Sequence, residues 1–314
     1  DQQPDSTRLL TVAHEVDVKA RNTRPVRAQD RQQRAALQRI RDQGFQNAAD
    51  PEALEAGVNH GVRVVDDQRC RRLDVQRVAL NHQLQRRELA RLEIANGRLE
   101  RISHDTPWDI TEASLSHDDR EVVALANVAG RRELRRYSTA TLAPLPAPDL
   151  PVGSLAALRH HRVSGELALV VTHARSPGQV WSAEPGRSAQ AWTQPSVPAG
   201  LDTASFTEQQ VVRWKSFDGL EISGLLTMPP PRHTGRRPVL VHIHGGPEAQ
   251  ASVGFLGRTQ YYAQELGVAI VQPNVRGSSG FGKRFLTLDN GRQREDAARD
   301  IGALLDWIAT QPRL

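Results

Sequence analysis

Pro238-Val239-Leu240-Val241-His242-Ile243-His244-Gly245-Gly246-Pro247 is the stretch that decides how this chain folds. Residues 238–243 form an apolar run, as expected of a strand buried on both faces. The run ends in two glycines, which let a backbone turn sharply and come close to a ligand. Working outward, residues 268–271 read as a second buried strand, and 261–266 between them read as helix. Residues 211–216 and 220–227 read as two strands joined by a turn at Asp218-Gly219, the second stopped by Met228-Pro229-Pro230-Pro231. Residues 295–309 read as a helix whose Ala297, Ile301, Leu304, Leu305 and Ile308 share one face. Glu295 and Asp296 stand near its start, where the helix dipole favours negative charge. From about 209 onward the pattern is therefore α/β.

His244-Gly245-Gly246-Pro247 sits where, in α/β-hydrolases, a strand-to-helix loop supplies a backbone N–H to an oxyanion hole. Gly245 and Gly246 are the candidate donors, and each such donor typically contributes a few kcal/mol to the transition state. The same two glycines also suit a plain turn. The loop after the second strand, Pro273-Asn274-Val275-Arg276-Gly277-Ser278-Ser279-Gly280-Phe281-Gly282, invites a competing assignment. Gly277 to Lys283 fits part of a phosphate-binding loop. Arg284 then stands where a Ser or Thr would hold magnesium, so nucleotide binding is set aside. The histidines are scattered, with no H-E-x-x-H pattern. His242 and His244 alternate along a strand and face the same way, as a hydrogen-bonded or packed pair rather than a metal site. His160-His161 reads as a solvated turn. No metal and no cofactor is expected.

Upstream, about 91–205 alternates short apolar runs with turns. Glu121-Val122-Val123-Ala124-Leu125-Ala126 and Glu166-Leu167-Ala168-Leu169-Val170-Val171 each follow a polar turn, Ser116-His117-Asp118-Asp119-Arg120 and Arg162-Val163-Ser164-Gly165. Each precedes a second short run, near 134–137 and 179–181. A spacing near 45 residues with several strands per unit is the mark of propeller blades, with an irregular β-sandwich as the alternative. Prolines 144, 146, 148 and 151 fall between the units, and a domain junction is placed near 200–208. The first 90 residues are Arg- and Gln-rich. They show only weak periodicity, helical at Ala35, Ala36, Leu37 and Ile40 and mixed at Leu73, Val75, Val78 and Leu80, so little structure is assigned there.

The net charge is +5, and 38 of the 41 basic residues are arginine, the lysines being Lys19, Lys215 and Lys283. The arginines are interspersed with acids and lack stacking aromatics, so a solvated surface is expected rather than a nucleic-acid partner. No run is long and apolar enough to span a membrane. The single cysteine, Cys70, excludes an intramolecular disulfide and fits either a cytoplasmic or a periplasmic protein.

Residues from about 209 to 314 resemble the prolyl oligopeptidase family, near its acylaminoacyl-peptidase-like and dipeptidyl-peptidase-like branches. The resemblance rests on Trp214-Lys215-Ser216-Phe217-Asp218-Gly219-Leu220 with Ile222-Ser223-Gly224, on His244-Gly245-Gly246-Pro247, on the 273–282 loop, and on Glu295-Asp296 with Asp300. It implies the last blades of a β-propeller over 91–205, followed over 206–314 by the N-terminal portion of an α/β-hydrolase domain. It also implies a serine-type peptidase that cleaves short peptides by acyl transfer. An esterase on the same fold and a non-enzymatic propeller module are the alternatives. The family places a G-x-S-x-G nucleophile elbow, then an Asp and a His, after the helix at 295–309. None of these is in the sequence, so the triad is expected beyond Leu314 and the chain alone is expected to be inactive. His244, Arg276 and Asp296 are the residues expected to support the site, with Arg276 paired to Asp296.

Overall fold

The computed structural model describes residues 62–64, 76–81, 86–93 and 98–314, apart from positions 162, 185 and 247. Cys70 and the weak helical pattern near Leu37 lie outside the described residues.

Three four-stranded antiparallel meanders come first. They are β1 (Val62–Val64) to β4 (Arg98–Arg101) through β2 (Gln76–Asn81) and β3 (Glu88–Glu93). Then come β5 (Ile110–Leu115), β6 (Glu121–Val128), β7 (Arg131–Ser138) and β8 (Pro144–Leu145), and after them β9 (Ser154–His160), β10 (Leu167–His173), β11 (Ser176–Ala183) and β12 (Gln190–Ala191). The second strands begin at Gln76, Glu121 and Leu167, at intervals of 45 and 46 residues. The two apolar runs expected near 121 and 166 are β6 and β10. A third unit, β1–β4, starts inside the Arg-rich stretch where little structure is expected.

β6 holds the stack together. Its alternate residues point to opposite faces, and both faces are covered. Val122, Ala124 and Ala126 meet Leu89, Ile102, Ile110 and Tyr137 on one side. Val123 and Leu125 meet Leu155, Leu158, Leu167 and Leu169 on the other. Between the second and third meanders, Ala157 adopts φ +56° at a register shift of β9. The Glu112 carboxylate accepts the N–H groups that this shift frees, Ala157 at 3.4 Å and Leu158 at 3.1 Å. His160 is not in a solvated turn. It ends β9 with 1% of its surface exposed, because the strand alternation turns it inward. There its Nδ1 lies 3.0 Å from Ser114 Oγ.

The second architecture is a mixed sheet of order β13 (Gln210–Lys215), β14 (Glu221–Thr227), β16 (Ala269–Asn274), β15 (Val239–Val241). β13 and β14 form the expected hairpin, closed by Ser216 N–H to Leu220 O at 2.8 Å. β14 and β16 run antiparallel, while β15 and β16 run parallel with Val241 opposite Val271. A parallel neighbour requires a crossover, here carried by α1 (Gln260–Gln264), and α2 (Lys283–Leu286) follows β16. α3 (Arg294–Thr310) lies against β13 and β14, with Leu304 packed among Trp214, Ile222 and Leu226.

Two expectations change. Ala269, Ile270 and Val271 of β16 are fully buried, but β15 is only three residues long and Ile243 beyond it is 41% exposed. The reason is position: among the described residues β15 is the sheet's edge and has one neighbour. The deepest residues of α3 are Asp300 and Leu304, both at 0% exposure. The buried stripe thus includes a charged residue that an apolar periodicity leaves out.

Candidate functional site

The His244–Gly246 turn leaves the C-terminal end of β15 beside the loop that leaves β16. Gly246 has φ +112°, a conformation open to glycine, and an added Cβ would sit 3.1 Å from Ala249 Cβ. Among the described residues, neither the Gly245 nor the Gly246 N–H donates to another group, whereas His242 N–H is taken by Val271 O at 2.8 Å. Sheet pairing therefore stops just before the glycines, and two amides stay uncommitted at the mouth of a parallel strand. His242 and His244 both lie past the end of β15, and His244 bonds to Ser278 and Gly245 rather than to His242. His242 is exposed. His244 Nε2 lies 2.9 Å from Ser278 Oγ, whose own proton goes to Val275 O at 2.6 Å, so the imidazole donates to Ser278.

The neighbouring loop is held by buried polar groups. Asn274, fully buried, accepts from Ala251 N–H at 2.7 Å and donates to Ala251 O at 3.1 Å, as a strand neighbour would. Ser279 N–H reaches Ala249 O at 2.9 Å. The loop after β15 is thus sewn to the loop after β16 at three points: His244–Ser278, Ala249–Ser279 and Ala251–Asn274.

Arg276 anchors the second loop. Its guanidinium, 4% exposed, meets Asp300 through Nε and Nη2 (2.8 Å for the latter) and Asp218 through both Nη atoms at 3.0 Å. Its backbone N–H also donates to Asp300 at 2.9 Å. Asp296, expected as its partner, stands 3.9 Å away and pairs at 3.1 Å with Arg299. The fork of the guanidinium is filled by the two other acids. Ser216 Oγ donates to Asp300 at 2.5 Å, so the buried carboxylate has several donors. Burial opposes the charge on Arg276, but the hydrogen bonds it donates to Asp300 and Asp218 prevail and hold it protonated far above its ordinary range. The same contact lowers the pKa of Asp218, chiefly through the Arg276 hydrogen bond. Asp300, Asn274 and Ser278 were not singled out as site residues from the sequence. A polar residue at a core position of a strand end or helix stripe is the only signal they give. No group of three metal-ligating side chains occurs among the described residues.

The arrangement defines a class by fold: sheet meanders followed by a mixed α/β sheet. Solved structures with this fold include a prolyl endopeptidase (TM-score 0.64, 16% identity, 76% of this chain and 36% of that one). The acylaminoacyl peptidase of Pyrococcus horikoshii aligns with TM-score 0.57 at 18% identity over 76% of this chain and 37% of its own. A puromycin-hydrolysing peptidase of Mycobacterium tuberculosis aligns with TM-score 0.59 at 15% identity over 74% and 37%. In sequence, dipeptidyl aminopeptidase BIII of Pseudoxanthomonas mexicana is 36% identical over 74 residues, 24% of this chain and 11% of that protein. No protein-family profile matches. These relatives are peptidases of the prolyl oligopeptidase family, the family that the sequence resembles. The chain spans little more than a third of the length of the solved relatives.

Proposed function

We propose that this chain is part of a serine-type peptidase that cleaves short peptides by acyl transfer. In this reading the meanders are blades of a β-propeller over 91–205 and before it, and 206–314 is the N-terminal portion of an α/β-hydrolase domain. Gly245 and Gly246 supply the first-loop amides of the oxyanion hole. His244, through Ser278, and Arg276, through Asp300, keep the two loops in place, with Asp296 at the margin of that support. The observation that carries the proposal is the pair of uncommitted amides where β15 ends. Donors already aimed at the developing oxyanion need no reorganisation during the reaction. The sequence has no G-x-S-x-G elbow, so in this reading the chain contributes charge stabilisation and the nucleophile, general base and orienting acid come from another segment.

The test uses a protein that carries this chain together with such an elbow. It should release a chromophore from a dipeptide anilide faster than it hydrolyses a simple ester, with turnover blocked by a fluorophosphonate. Gly246→Ala, which forces a side chain into φ +112°, should cut kcat by roughly 10²–10³ with little change in KM. A variant with wild-type kcat would remove the amides from the mechanism, and turnover of esters alone would move the protein to the esterase class.

A further inference from the structure

We infer that Asn127 of β6, in the sheet stack, is a positioning residue for the glycine loop in the other architecture. This rests on the proposed role of Gly245 and Gly246. Asn127 is 5% exposed, and its Oδ1 accepts the Gly130 N–H at 3.1 Å. A backbone N–H can only donate, so this bond fixes the amide orientation and makes Nδ2 a donor. That Nδ2 donates to Gln250 Oε1 at 2.7 Å. Three residues on, Val253 N–H donates to Gly130 O at 2.9 Å. The segment 249–253 is therefore gripped from two sides. Asn274 and Ser279 hold it to its own sheet, and Asn127 and Gly130 hold it to the meander.

The approach is close. A Cβ on Gly280 would collide with Asn127 Nδ2 and lie 2.7 Å from Gln250 Oε1. Trp108 packs edge-on against Phe281 at 6.2 Å beside it. Gln250 lies four residues from Gly246, within the loop whose first turn carries the uncommitted amides. Releasing one of the two sides frees the segment to shift while the sheet stays intact. A shift near 1 Å at reacting groups costs roughly 10²-fold in rate.

Two substitutions of similar size separate the outcomes. Asn127→Leu removes the donor. Asn127→Asp keeps the acceptor for Gly130 N–H, and Gln250 can turn its Nε2, which is buried without a partner among the described residues, toward the new carboxylate. In the elbow-bearing protein, Asn127→Leu should lower kcat roughly ten- to hundred-fold with KM within about twofold, and Asn127→Asp should restore most of it. Gln250→Leu should match Asn127→Leu, and the double variant should be no worse than either, since one contact is lost in all three. Amide exchange at Ala251 and Val253 should quicken in the Leu variants and not in Asn127→Asp. This second readout does not depend on catalysis. Wild-type kcat in Asn127→Leu, or unchanged exchange at both amides, overturns the inference. If Asn127→Leu does not fold, Gln250→Leu decides by the same two measurements. If the wild-type protein proves not to be a hydrolase, the function proposed above fails, and exchange alone decides whether Asn127 holds the loop.

Discussion

Asp300 and Asp296 sit four residues apart on α3 and have opposite stakes in Arg276. Asp300 is fully buried and closes a hydrogen-bonded pair with a guanidinium that is itself 4% exposed. Truncating it leaves a buried cation without its main partner. Asp300→Ala should therefore cost about 3–5 kcal/mol in urea denaturation. Asp296→Ala removes a contact at 3.9 Å on a partly exposed carboxylate and should cost under about 1 kcal/mol. Asp218 gives the matching pH dependence. Its folded pKa is depressed below the ordinary 3.8. Its contribution is therefore fully present above that ordinary value and lost as pH falls through the lower folded one. Glu121 is depressed in the same direction by His160, 3.7 Å away, and by Arg136 in direct contact. Denaturation midpoints should fall below about pH 4, and Asp218→Asn should flatten that acid limb by lowering the plateau at neutral pH, leaving stability in acid nearly unchanged.

Among the elements of the mixed sheet, β15 is an edge beside the site. His242 N–H and Pro238 O point to β16, so by alternation the backbone of Val239, Val241 and Ile243 faces away from it. An open edge beside an exposed isoleucine is a template for a second copy. The 314-residue chain should self-associate with concentration in sedimentation velocity, and Ile243→Lys should suppress this while leaving the far-UV spectrum unchanged. β15, β16 and α3 were legible because apolar runs, glycines and the 3.6-residue stripe mark them. β3 and β4 were not. No apolar run marks either of them, yet Arg91 faces Glu100 across the ladder and Arg101 reaches Glu88, while Leu89 is fully buried between them. Cross-strand pairing of this kind makes a charged strand viable and erases the alternation by which strands are recognised. In the candidate site the glycines stood out from their place after an apolar run, and Arg276 only through the family resemblance. Asn274, Ser278 and Gln250 did not, because their partners are backbone atoms and a side chain distant in sequence, which no local pattern encodes.

At the scale of the whole molecule, the main core clusters of the stack and of the mixed sheet share no residue among those described, so stability and site geometry separate. Leu125→Ala in β6, at 0% exposure between two meanders, should cost about 2–5 kcal/mol without altering the contacts of Gln250. Loss of the Asn127 contact should do the reverse. β6 carries one more implication. Six successive positions, Val122 to Asn127, have no side open to water, whereas β7 beside it shows partly open arginines at 131, 132 and 135. In a library of random single replacements scored for folding, β6 should tolerate almost nothing at its five apolar positions 122–126, and β7 should accept changes at every second or third codon. Drift in this protein would then be confined to one strand of the pair, with the other held as a fixed spine.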